Sequence, residues 1–104
     1  MKTALLILLT AAGVGLAPLA GADAMASAEK AKTLCAGCHG PTGISVNPLW
    51  PNLAGQKSDY LAKTMRDYQN GQRQDPNMSA LAQTLTAEEI VELADYYAAL
   101  DPAG

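Results

Sequence analysis

The chain has no phenylalanine, a single tryptophan, a single histidine and only two cysteines. Without phenylalanine, the interior of so short a chain has few large side chains to fill it. One histidine and two cysteines are one ligand short of the four that a structural zinc site takes. Cys35 and Cys38 stand too close together for a disulfide between them to remove much chain entropy. A thioredoxin-like redox pair would need a strand–helix–strand context, and no run of β-branched residues alternates with polar ones. Charged residues make up only 16% of the chain, with no block of one sign.

What is present begins with a short basic start at Lys2 and an apolar run from Ala4 to Leu16, followed by small residues. Ala20-Gly21-Ala22 and Ala22-Asp23-Ala24 both fit an A-x-A cleavage site, and this order is that of a secretory signal peptide. The run is well short of the roughly 20 residues that span a bilayer, so an export signal is expected over residues 1–22, cleaved after Ala22 or Ala24. A domain over residues 23–104 then remains. It carries six basic against ten acidic side chains, a formal charge of −4. An acidic balance argues against nucleic acid and against an anionic membrane surface as partners, and no stable membrane insertion is expected once the signal is removed. A domain of this size seldom holds a core unaided and usually has a staple; a bound group is the best candidate for the missing interior.

Three helices are predicted from pattern, and the fold class is all-α with long loops. The first spans roughly Ala26–Ala36, is rich in alanine and lysine, and ends near Gly37. The second runs from an N-cap at Ser58 to Asn70, with Leu61, Met65 and Tyr68 at helical spacing and Gly71 as C-cap. The third opens with a capping box, Thr86 with Glu89, and places Ile90, Leu93, Ala94 and Tyr97 on one stripe. Residues 40–57 and 72–79 read as loops, the second containing Pro76. Loops this long in so small a domain are functional or wrapped around something.

Cys35-Ala36-Gly37-Cys38-His39 has the C-x-x-C-H spacing of a c-type haem attachment site. Two thiols add to the two vinyl groups on one porphyrin edge, and the adjacent imidazole reaches the iron from one face. The chain offers no imidazole other than His39. A thioether suits the second axial position, since its softness favours reduced iron. Met1 belongs to the leader, Met25 to the start of the mature chain, and Met65 to the apolar stripe of the second helix, where core packing explains it. Met78, in the loop before the last helix, is the candidate.

Four stretches in this order resemble the class I cytochromes c: Lys32 to Gly40 around the motif, Trp50-Pro51-Asn52-Leu53-Ala54-Gly55-Gln56, Asn77-Met78-Ser79, and Leu85-Thr86 through Tyr96-Tyr97. The chain is similar to the small bacterial monohaem members and to one domain of the dihaem members. The resemblance implies crossed N- and C-terminal helices enclosing one haem c, bound through Cys35 and Cys38 and ligated by His39 and Met78. It also implies that the Pro51 carbonyl accepts from His39 Nδ1–H. Where the family often has glycine at the helix crossing, Ala28 stands here. Trp50 and Arg73 are candidates to meet haem propionates; the tyrosines read as packing. The implied function is that of a soluble periplasmic one-electron carrier, not an enzyme, meeting redox partner proteins such as a reductase and an oxidase or dehydrogenase. The alternative is a cytochrome subunit held in a periplasmic dehydrogenase or flavocytochrome complex.

Overall fold

A computed structural model describes residues 7–15 and 20–104. Of the expected export segment, residues 1–6 and 16–19 lie outside the described residues. Five helices occur among the described residues: α1 (Ala20–Leu34), α2 (Ala36–His39), α3 (Ser58–Asn70), α4 (Pro76–Ala82) and α5 (Ala87–Ala98). No strand occurs among the described residues, and none of their helices is long and apolar enough to cross a membrane.

The helix α5 is central, packing against both α1 and α3, while α4 leans on α3. Its start is the predicted capping box: Thr86 Oγ1 accepts from the Glu89 N–H at 3.1 Å, and Glu89 Oε1 accepts from the Thr86 N–H at 3.1 Å. Each bond satisfies a backbone or side-chain group at a terminus where four N–H groups lack helical partners. Glu89 also forms an ion pair with Lys30, tying the start of α5 to α1. The stripe Ile90, Leu93, Ala94 and Tyr97 is buried as predicted.

Helix α1 begins at Ala20, six residues before the expected start, so the candidate cleavage positions Ala22 and Ala24 fall in its first turns. The residues it buries are Ser27 and Ala31, with Ala28 half-buried beside them, and Cys35 just past its end is buried as well. These small side chains let α1 come close to α5. The expected end near Gly37 is corrected: the α-helix stops at Leu34 and a separate single turn, α2, carries Gly37 in its interior. The terminating glycine is Gly40, at φ +85°, where a Cβ would fall 1.9 Å from the Ile44 carbonyl oxygen.

Two further boundaries differ from the sequence reading. Lys57, extended and without a side-chain cap, precedes α3; Ser58 is its first residue and gives its hydroxyl to the Asp95 carboxylate on α5. The predicted stop at Gly71 holds, in the left-handed region at φ +83°. Met78 lies not in a loop but in α4, where Pro76 occupies the first turn behind an Asp75 N-cap. Proline is favoured there because its missing N–H would have been unpaired anyway.

Candidate haem site

The turn α2 brings three chemically active side chains together. Its first carbonyl, that of Cys35, accepts from the N–H groups of Cys38 at 3.2 Å and His39 at 2.9 Å. This single turn groups the two thiols with the imidazole. Cys35 is buried, Cys38 is exposed, and both are free thiols. Burial pushes the Cys35 thiol above its ordinary value; a hydrogen bond with Tyr97 opposes that, and Cys38 adds to it.

His39 is 6% exposed, and its Nδ1 lies 2.9 Å from the Pro51 carbonyl oxygen. A carbonyl only accepts, so Nδ1 carries the proton and Nε2 keeps its lone pair. The loop 40–57 makes this contact possible. The Gly43 carbonyl accepts from Leu53 at 2.8 Å and Ala54 at 3.1 Å, and Asn52 Oδ1 accepts from the Ser45 N–H at 2.7 Å. The loop is tied to the Cys-His turn by the Ser45 hydroxyl, which donates to the Cys38 carbonyl at 3.2 Å. At its far end the Gly55 N–H donates to the Tyr97 carbonyl at 3.0 Å.

Cys35, Cys38, His39, Trp50, Pro51, Arg73 and Met78 all line one cavity of about 420 Å³. Leu61, Leu85, Ile90 and Leu93 form apolar wall, drawn from α3, α5 and the segment between α4 and α5. The volume falls in the range of small-molecule and cofactor sites. Met65 also lines the cavity while packing against the core, whereas Met25 is 72% exposed on α1 and outside the lining. Trp50 is 39% exposed at the cavity, and its indole N–H has no protein hydrogen-bond partner among the described residues. The Arg73 guanidinium lies 4.9 Å above the Tyr68 ring and takes part in no ion pair among the described residues. An apolar hollow, two thiols on one turn and an imidazole with a free Nε2 form a donor set that fits haem c. No group of three or more His, Cys, Asp or Glu side chains suited to a metal ion occurs among the described residues.

Residues the sequence reading did not single out also meet here. Asp75 lines the cavity and caps the helix of Met78. Asp followed by Pro is itself a helix-start signal. Gln69 is different: its amide donates to the carbonyls of Ala82 at 2.8 Å and Leu85 at 3.0 Å, contacts across 13 and 16 residues with no local sign in the chain.

The comparisons with known proteins agree with this geometry. Residues 21–96 match the family described as "Cytochrome C oxidase, cbb3-type, subunit III". Cytochrome c4 of Thiocapsa roseopersicina is 43% identical over 82 residues, covering 79% of this chain and 42% of that one. Cytochrome c-554(548) of Halomonas halodenitrificans is 41% identical over 78 residues, covering 72% of this chain and 93% of that one. The crystal structure of reduced recombinant cytochrome c4 from Pseudomonas stutzeri superposes with a TM-score of 0.67 at 31% identity, over 78% of this chain and 50% of that one. The chain therefore belongs to the class I cytochrome c family, with the all-α fold of that class. Its prosthetic group is covalently bound haem c. It spans less than half of the Thiocapsa protein and nearly all of the Halomonas one.

Proposed function

We propose that this chain is a periplasmic one-electron carrier, exported by residues 1–22 and folded over residues 23–104 around a single haem. The observation that carries the reading is the convergence of Cys35, Cys38, His39 and Met78 on one largely apolar cavity. When bound, the haem supplies a reversible one-electron iron couple whose potential follows its ligands and burial. Cys35 and Cys38 would hold the group through thioether links, and His39 Nε2 and the Met78 sulfur would ligate its iron. Pro51 fixes the imidazole through its carbonyl and raises the basicity of the ligating nitrogen. Trp50 and Arg73 offer an unpaired indole N–H and an unpaired guanidinium for the propionates. The Tyr68 ring supports the Arg73 charge from one side.

With His39 and Met78 both ligating the iron, no position on it would remain for a substrate, and the chemistry would be electron passage rather than catalysis. Partners are redox proteins, met in the small, short-lived contacts usual for such encounters. Mass spectrometry of the exported protein tests attachment; a mature mass without added haem overturns the reading. Met78→Ala should open the iron to added ligands and lower the reduction potential by of order 0.1 V, within the ~0.8 V span that axial ligands cover. An unchanged potential and spectrum would reassign the ligand, with Met65 next in line. Gel filtration of protein purified from its source should show a free small species; a stable complex with a larger subunit would make the chain a dehydrogenase subunit instead.

A further inference from the structure

Met78 rides on a helix too short to sustain itself. Seven residues are well below the length at which an isolated helix persists in water. The position of the thioether therefore depends on what holds α4 from outside, and both ends are held. At the start, Asp75 is extended (φ −152°), and its Oδ1 accepts from the N–H groups of Asn77 at 2.9 Å and of Met78 itself at 2.8 Å. The Asp75 N–H returns a bond to Ser79 Oγ at 3.0 Å. At the far end, the Gln69 amide of α3 donates to the carbonyls of Ala82 and Leu85, and the Gln83 amide donates back to the Gln69 carbonyl at 2.8 Å. Met78 lies between these two anchorages, one of which bonds its own backbone.

We infer that Asp75 and Gln69 are positioning residues that clamp α4 and so set how often the Met78 sulfur leaves the iron. This rests on Met78 being the second axial ligand. The clamp makes no contact with the reacting atoms; it fixes the backbone from which the thioether reaches. Without it, α4 frays and the thioether is free to withdraw while the thioether links at Cys35 and Cys38 keep the haem in place. An added ligand reads this directly, because its apparent affinity scales with the fraction of molecules in which the iron position is open. Loss of one helix cap corresponds to about a fivefold change in such a fraction.

The test titrates oxidised holoprotein with imidazole, following the shift of the main haem absorption band, in the parent and five variants. Asp75→Ala should raise the apparent affinity about fivefold, and Gln69→Ala, which loses hydrogen bonds worth about 1 kcal/mol, should raise it by a similar factor. Asp75→Asn keeps an acceptor at the cap and should bind as the parent does. Thr86→Ala removes the equivalent cap from α5; it should lower the melting temperature and leave imidazole affinity alone. The inference is overturned if Asp75→Ala and Gln69→Ala bind like the parent. It is also overturned if Asp75→Asn matches Asp75→Ala, which would implicate charge instead of the cap, or if Thr86→Ala raises affinity equally, which would implicate global stability. Should Asp75→Ala fail to fold, Gln69→Ala decides, since it leaves every cap intact. Met78→Ala separates the two levels: binding no tighter than the parent's removes the ligand assignment and the clamp with it. Tight binding there, with no effect at Asp75 or Gln69, removes the clamp alone.

Discussion

Tyr97 shows how a single side chain couples the core to the cavity. It is 4% exposed, lines the cavity beside Cys35 and carries the carbonyl that anchors Gly55. Burial above all, then the charge and hydrogen bond of Cys35, hold its phenol above the ordinary tyrosine range. With Cys35 in a thioether link, burial and, after it, the neighbouring Tyr96 remain as the causes. The folded-state value is the raised one, so this group's stabilising contribution is complete below about pH 10 and declines as the pH climbs above it. The unfolded chain then releases a proton that the folded protein keeps. The slope is at most ~1.4 kcal/mol per pH unit. Tyr97→Phe should flatten the fall in melting temperature between pH 10 and pH 11.5, measured against the parent; parallel curves would show that the phenol is not held protonated. At this scale the sequence was informative where chemistry is contiguous. Cys35, Cys38 and His39 lie within five residues, and one turn of backbone is enough to bring them to one cavity wall. Asp75 and Gln69 act through partners whose identity depends on the fold, and Gln69 had no neighbour in the chain to mark it.

Among the elements, α5 was readable from its start and its stripe, because a capping box and a buried face are local patterns. Helix α4 was not. Pro76 reads as a breaker when no helix is suspected, and Asn77 and Ser79 are poor helix formers. The Asp75 cap, Pro76 in the first turn, the Gln69 bonds and packing of α4 against α3 together make that segment helical. Ser58 was expected as an N-cap because its type suits one; the hydroxyl instead found the Asp95 carboxylate, a partner that exists only when α3 meets α5. Thr86→Ala should cost about 0.5–2 kcal/mol, the usual range for a lost cap, measured by denaturant unfolding of the haem-loaded protein. Thr86→Ser should recover most of it. Because Glu89 also pairs with Lys30, a loss toward the upper end would indicate that the cap orients that carboxylate as well.

The whole molecule is a shell of short helices with little inside. Among the described residues, Ile90 is the largest fully buried side chain, and much of the buried set is alanine. The core residues Leu61, Leu85, Ile90, Leu93, Ala94 and Tyr97 are also cavity-lining residues. They therefore pack against each other on one side and against the prosthetic group on the other. The absence of phenylalanine has its physical meaning here, since a porphyrin takes the volume that large aromatics fill elsewhere. A group that binds only the folded chain adds its binding free energy to folding, and a covalent tether makes that contribution independent of concentration. Removing both tethers by Cys35→Ala with Cys38→Ala should leave a chain with an unfilled cavity of about 420 Å³ and no compensating contacts. The contacts that the group makes with Leu61, Leu85, Ile90, Leu93 and Tyr97 would be lost, and with them the binding free energy that it adds to folding. The double variant should lose most of its far-ultraviolet helical signal and its amide-exchange protection. A haem-free chain that kept a cooperative thermal transition would mean that the helices hold one another without the group, and that the cavity is not the organising centre of the fold.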